Sequence, residues 1–421
     1  MSHSDTQSGL IAAEQQSVGS DSVAVASENP NSSSQVYLAE PLPAQPPPRS
    51  PRRSWFKMIW GGTCAVVHWL FGLASLIVIL SVLATLPILQ FLSLGYLLEA
   101  SGRIIRTKRL RDGLFGIHTA ARVGSVGLGV FFTMLPVRFF SSLWYSSYLL
   151  NGDVDQTRWL RLVVIGLCVL AFVHISWAVF RGGKLRNFCW PAPVKMLRRI
   201  KQGGMYDEAS YRLLSFFSGL RLRYYFWLGL RGFVGALVWL AIPISMMAIA
   251  TKVDVPQVGG AVAFLGGLLL STVLIYLPFL QTRLAMTNRF ASQFDVNVVR
   301  QQFKRAPIAY WFSLLMTLAL ALPLYILKAE LVPREAAWLP SLFFIAFMLP
   351  ARLAVGWAVS RAEKREQPRF FLVRWMSSAG LLPVTVVYAF IAYFTQFTSW
   401  HGAFSLYEQH AFLVPVPFLG Y

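Results

Sequence analysis

The chain has 421 residues, of which 56% are hydrophobic and 13% charged, with a mean hydropathy of +0.53. Soluble domains carry roughly 25% charged residues, so a string of soluble domains is excluded. The net charge of +20 would point to nucleic acid in a soluble protein. Here the basic residues sit in short loops between apolar runs, which is the pattern of cytoplasmic loops facing anionic headgroups. The expected partners are therefore the lipid bilayer and its anionic headgroups, and not nucleic acid.

Residues 1–56 form a tail rich in Ser, Gln, Ala and Pro that cannot bury enough apolar surface to fold. It ends in a proline run, Pro41 to Pro48, followed by Arg49, Arg52, Arg53 and Lys57. It has no apolar core of its own, so the first span is expected to act as an uncleaved signal anchor. Crossing a bilayer core of about 30 Å takes about 20 helical residues. Runs of that length are predicted at 60–86, 124–149, 160–180, 224–250, 259–280, 309–328, 338–360 and 376–397. The alternating strands of an outer-membrane barrel are absent. The expected fold is all-α, a polytopic helical membrane bundle of about eight transmembrane helices. Pro87 splits the first apolar block, and residues 88–106 read as a further short helix, re-entrant or interfacial.

The loops sort by charge. Segments 97–123, 181–223, 281–308 and 361–375 are basic, whereas the connections between them are short and hold Asp153, Asp155, Asp254, Glu330 and Glu335. The positive-inside rule then makes the basic loops cytoplasmic in a cell (inner) membrane and puts the C-terminal tail, 401–421, outside. The cluster Arg49 to Lys57 also favours the inside, which a single crossing at 60–86 contradicts and a hairpin with 88–106 resolves. Within the long basic loop, Met205 to Phe226 suits a helix lying on the cytoplasmic leaflet.

Three echoes recur in order. Leu86-Pro87-Ile88-Leu89-Gln90 returns as Leu277-Pro278-Phe279-Leu280-Gln281, Pro136 as Pro323, and Trp177-Ala178-Val179-Phe180-Arg181 as Trp357-Ala358-Val359-Ser360-Arg361. They suggest a parallel four-helix duplication, with halves at 57–250 and 251–400. Leu-Pro pairs and Trp-to-Arg helix ends are also ordinary in membrane helices, so chance stays open.

No catalytic motif is present: no P-loop, HExxH, Gly-x-Ser-x-Gly or Rossmann glycines. No activity as an enzyme and no cofactor is expected. Cys64, Cys168 and Cys189 have neither disulfide nor metal spacing. His68, one turn from Cys64, supplies too few ligands for a metal and lies on a small-residue face with Gly72 and Ser75. None of the eight spans carries Asp or Glu, which argues against a carboxylate proton relay. They do carry arginine. Arg138 follows Pro136 on a stripe with Ser142, Tyr145 and Ser146; Arg352 follows Pro350; Arg231 lies near Gly235. A charge at the bilayer centre costs at least about 2.5–3.5 kcal/mol, so these three should face the bundle or water. They are the candidate ligand-binding residues, as guanidinium forks for a carboxylate or phosphate. The competing role is to satisfy carbonyls freed by the prolines, or to snorkel. The expected function is transporter-like, or the binding of an anionic or lipid-linked ligand. The alternative is a non-enzymatic scaffold that gathers partners through basic loops and the proline-rich tail.

Overall fold

A computed structural model describes residues 55–151, 155–326, 338–398, 402–407 and 412–413; nearly all of the expected N-terminal tail lies outside them. The elements are α1 (Trp55–Thr85), α2 (Gln90–Thr107), α3 (Ile117–Asn151), α4 (Asp155–Phe180), α5 (Leu185–Cys189), α6 (Pro193–Gln202), α7 (Met205–Gly219), α8 (Leu222–Ala250), α9 (Pro256–Thr287), α10 (Val296–Arg305), α11 (Pro307–Ile326), α12 (Trp338–Glu363) and α13 (Phe371–Thr398). There is no strand among the described residues. Eight helices are long and apolar enough to cross a membrane: α1, α3, α4, α8, α9, α11, α12 and α13. They coincide with the eight expected spans. Prolines begin α6, α9 and α11, where a missing N–H costs nothing. Prolines also sit inside α3, α8, α9, α11, α12 and α13 without ending them, as membrane helices permit.

The core is built on α2. A helix lying on a leaflet keeps one face exposed, whereas 14 of the 18 residues of α2 are buried. It packs against α8, α9 and α12. Small residues make this possible. A methyl on Gly95 would overlap the Tyr225 carbonyl of α8, and one on Gly229 would overlap the Phe91 carbonyl of α2. Added to Gly102, it would lie 3.0 Å from the backbone of Ala285 in α9; added to Gly356 in α12, it would lie 2.8 Å from Ser101 O. Three helices thus approach α2 to near backbone contact. Its own polar groups turn inward, and Ser93 Oγ donates to Leu80 O of α1 at 2.7 Å. That bond ties the start of α2 to the last turns of α1 across the turn at Pro87. α2 is about 27 Å long at 1.5 Å per residue.

Gly259 and Gly266 seat α9 against α8: a methyl added to the first would lie 2.8 Å from Ala250 O, and one added to the second 3.1 Å from Pro243 O. On the other flank, α3 and α4 form a hairpin with α5 packed against both. Gly72 and Ser75 of α1 pack on Ile117 and Gly124 of α3, so the small-residue face around His68 is a helix contact. The basic loop 181–223 is largely helical. Its last part is not continuous through Phe226, because Arg221 takes a left-handed conformation (φ 47°) and starts α8 afresh.

The ends of α2 and α9 repeat one backbone path. Lys108 and Asn288 are left-handed C-caps, at φ 59° and 56°; Arg109 and Arg289 are extended; a 3-10 turn follows each. Thr107 and Thr287 bond Arg103 O and Arg283 O in the same way, at 2.9 and 3.0 Å.

Beyond α13 the chain returns to the bundle. Tyr407 and Ser245 of α8 share a hydrogen bond of 2.8 Å, and Leu406, Phe412 and Leu413 are buried.

Candidate functional site

The three arginines marked by the sequence end in different settings. Arg352 is 2% exposed, and its Nη2 donates to Gln281 Oε1 on α9 at 2.7 Å. Gln281 Nε2 donates in turn to Gly232 O of α8 at 3.2 Å and to Phe412 O at 3.1 Å. One buried amide thereby joins α12, α8 and the returning C-terminal segment. Arg231 closes the end of α9, donating to Asn288 O at 3.0 Å and Asn288 Oδ1 at 2.7 Å. The carbonyls of a last helical turn have no partner within the helix and take such a donor. Arg138 stands on the exposed face of α3 with Ser142, Tyr145 and Ser146. The structure therefore links Arg352 and Arg231 to the same helix, α9, and leaves Arg138 on the α3–α4 flank.

A fourth group was not anticipated from the sequence. Glu99 on α2 is 5% exposed. It accepts from Arg103 Nε at 3.2 Å, from Arg106 Nη2, and from Tyr224 OH at 2.9 Å. Arg106 Nη1 continues to Ala285 O of α9 at 2.9 Å, and Arg103 lies 3.9 Å over the Phe115 ring. A buried carboxylate is tolerated when it is paired and hydrogen-bonded in this way. The available signal was the spacing of Glu99, Arg103 and Arg106, which places them on one helix face. The tyrosine, 125 residues away, had no local signal.

Basic segments from several loops meet at this end of the bundle. Lys108 Nζ pairs with Glu363, Lys364 Nζ donates to Lys108 O at 3.3 Å, and the Arg369 N–H donates to Lys304 O at 2.9 Å. A cavity of about 460 Å³ beside the ends of α2 and α12 is lined by Lys108, Arg361, Lys364 and Arg365 with Trp357 and Ser360. Desolvation, then the like charges of Arg369 and Arg361, lower the Arg365 guanidinium from its ordinary value.

A second cavity, of about 470 Å³, opens between α9, α10 and α13. Phe279, Tyr310 and Leu381 are buried at its floor, with the Phe279 and Tyr310 rings stacked at 4.2 Å. Arg300, Lys304 and Arg374 also line it; the first two are exposed. Arg300 Nε donates to Tyr276 OH at 3.2 Å, and Arg374 Nε is buried with no protein partner among the described residues. An apolar floor under cationic side chains can hold a molecule with a greasy body and an anionic head.

A third, of about 900 Å³, lies between α1 and α3, where His68 and His118 stack at 5.8 Å beside Arg122 and Lys184. No group of three or more metal-ligating side chains occurs among the described residues.

The chain matches no protein-family model, no curated protein and no solved structure. The fold and its composition define the class on their own: this is an integral, multi-pass membrane protein of helices.

Proposed function

We propose that this membrane protein binds an anionic amphiphile, a phospholipid or lipid-linked phosphate, at the basic end of its bundle. The observation that carries the reading is the cavity between α9, α10 and α13, with its aromatic floor and its three cations. A phosphate would meet the guanidinium groups of Arg300 and Arg374 and the ammonium of Lys304, and acyl or prenyl carbons would lie on Phe279 and Tyr310. The neighbouring cavity at Lys108, Arg361 and Lys364 extends the same positive field. Under this reading the basic end is cytoplasmic and α2 is the returning half of a re-entrant hairpin with α1. The N-terminal cluster Arg49 to Lys57 then falls on the same side as the basic loops, and the C-terminus of α13 outside. The matched ends of α2 and α9 support a duplication, at an offset of 180 residues between Arg103 and Arg283 and again between Trp177 and Trp357.

The test is thermal stability in detergent with phosphatidylglycerol, phosphatidylcholine or inorganic phosphate added. A ligand of the native state at about 100 times its Kd adds about 2.7 kcal/mol. Phosphatidylglycerol should stabilise the wild type, and the Arg300→Gln/Lys304→Gln double variant should lose most of that response. Arg138→Gln should keep it, because Arg138 stands on another flank. Equal stabilisation by both lipids would overturn the reading, and a response to phosphate alone would assign the site to a soluble anion. The scaffold alternative is favoured if no added anion has any effect. It draws on α6, where exposed Val194 and Leu197 alternate with Lys195, Arg198 and Arg199.

A further inference from the structure

Between α1 and α3, two permanent cations and two imidazoles meet with no acid in the lining. Gly72 of α1 has no room for a methyl, which would overlap the Ile117 side chain of α3 and lie 2.9 Å from Ile117 O. The two helices therefore touch one turn from His68 and one residue from His118, and the two imidazole rings stack at 5.8 Å. A second close approach brings in the turn after α4. Gly183 is left-handed (φ 63°), and a methyl added to it would overlap the Val126 side chain of α3. Lys184, the next residue, thereby joins Arg122 and the two histidines on the wall of the cavity of about 900 Å³. The charged and titratable groups of that wall are Cys64 and His68 on α1, His118 and Arg122 on α3, and Lys184 before α5. Several cations elsewhere are balanced: Arg103 and Arg106 by Glu99, Lys108 by Glu363, Arg283 by Asp295. Among the described residues, neither Arg122 nor Lys184 has a hydrogen bond or ion pair through its side chain.

We propose that this cavity is a second anion site, which takes a doubly charged oxyanion of the phosphate or sulfate type and binds it with uptake of protons. The anion is either a free ion or the head of a lipid. The Arg122 guanidinium offers a planar fork to two of its oxygens, and the Lys184 ammonium a point charge. Each imidazole has an N–H to donate, whether neutral or charged. Imidazoles change charge between about pH 5 and 8. Two charged rings stacked on each other repel, and a neighbouring anion offsets that repulsion, so the anion binds more tightly as the pH falls. The site shares no residue with the cavity of Arg300 and Lys304, and either proposal can fail alone.

Cys64 lines the cavity and is exposed, so its reactivity reports occupancy from within. The experiment follows labelling of Cys64 by N-ethylmaleimide on the full chain in phosphatidylcholine nanodiscs. Cys168→Ser and Cys189→Ser leave it the sole thiol, and Arg300→Gln with Lys304→Gln removes the other proposed site. Sulfate is the probe, because its double charge is constant over the pH range used, and chloride at equal ionic strength is the control. Sulfate should slow labelling roughly tenfold and saturably, and chloride should not. Arg122→Gln/Lys184→Gln should abolish the protection, with Lys184→Gln alone serving if the double variant does not fold. Half-protection should need several-fold less sulfate at about pH 6 than at about pH 8. Protection by sulfate supports a free anion. Labelling slowed instead by phosphatidic acid in the disc, and restored by the double variant, supports a lipid head. Labelling that neither probe slows overturns the site. So does protection that chloride matches, that the double variant retains, or that does not change with pH.

Discussion

At the scale of the residue, the polar side chains inside the bundle work chiefly by joining elements. Glu99 holds two guanidinium groups and a phenol at once, from two helices. Arg103 and Arg106 keep 34% and 40% of their side chains exposed, so solvent screens their charge and lowers the worth of each pair. Glu99→Gln should therefore cost about 1–3 kcal/mol, the range for leaving a buried polar partner unsatisfied. The check is the midpoint of unfolding in detergent, which should fall. An unchanged midpoint would mean the cluster is incidental. The positions of Arg231 and Arg352 were legible in the sequence, but their partners were not. Asn288 is 57 residues from Arg231 and Gln281 is 71 from Arg352, and nothing in local spacing selects one distant acceptor over another.

At the scale of the element, α2 is the departure from simple hydropathy. A window tuned to lipid-facing helices passes over a segment with Glu99, Arg103 and Arg106, since such windows score contact with hydrocarbon and this helix touches almost none. Its glycines decide the matter. Gly95→Ala should force α2 and α8 apart at the Tyr225 carbonyl, and overpacking of this kind costs typically about 1–3 kcal/mol. Gly127→Ala on α3 is the control, because nothing lies within 4 Å of its added methyl. It should be neutral, or stabilising by up to about 1 kcal/mol through helix propensity. Thermal midpoints of the two variants in one detergent decide this. Equal shifts would mean that the α2–α8 contact yields freely. The long loop 181–223 is the other element whose character changed in three dimensions. Its basic, amphipathic pattern marked a surface segment, and the structure cuts it into three helices at left-handed residues: Gly182 and Gly183, Ala192, Gly203 and Gly204, and Arg221.

At the scale of the whole molecule, the sidedness proposed from loop charge has a direct test. On a cysteine-free background, Gly203→Cys lies between α6 and α7, and Gln257→Cys at the start of α9; both positions are exposed. In intact cells an impermeant thiol reagent should label 257 and spare 203. The reverse pattern would invert the topology and move the proposed lipid site to the outer face. Protease added outside should leave the segment around Arg52 uncut if α1 and α2 form a hairpin within the bilayer, whereas cleavage there would mean that α2 does not return.

Class and span count were determined by the sequence alone. The need for about 20 apolar residues per crossing is a one-dimensional constraint that each of the eight helices meets independently. The tertiary structure alone decided that α2, which is not one of those eight, lies among them. Within lipid, apolar faces gain little by meeting one another, so packing is set by small residues and polar bonds between helices. At Gly95 and Gly229, at Arg352 and Gln281, and where Phe412 reaches Gln281, both partners must be placed before either has a role. Each of those partners is an ordinary glycine, glutamine or backbone carbonyl until the fold brings the other beside it.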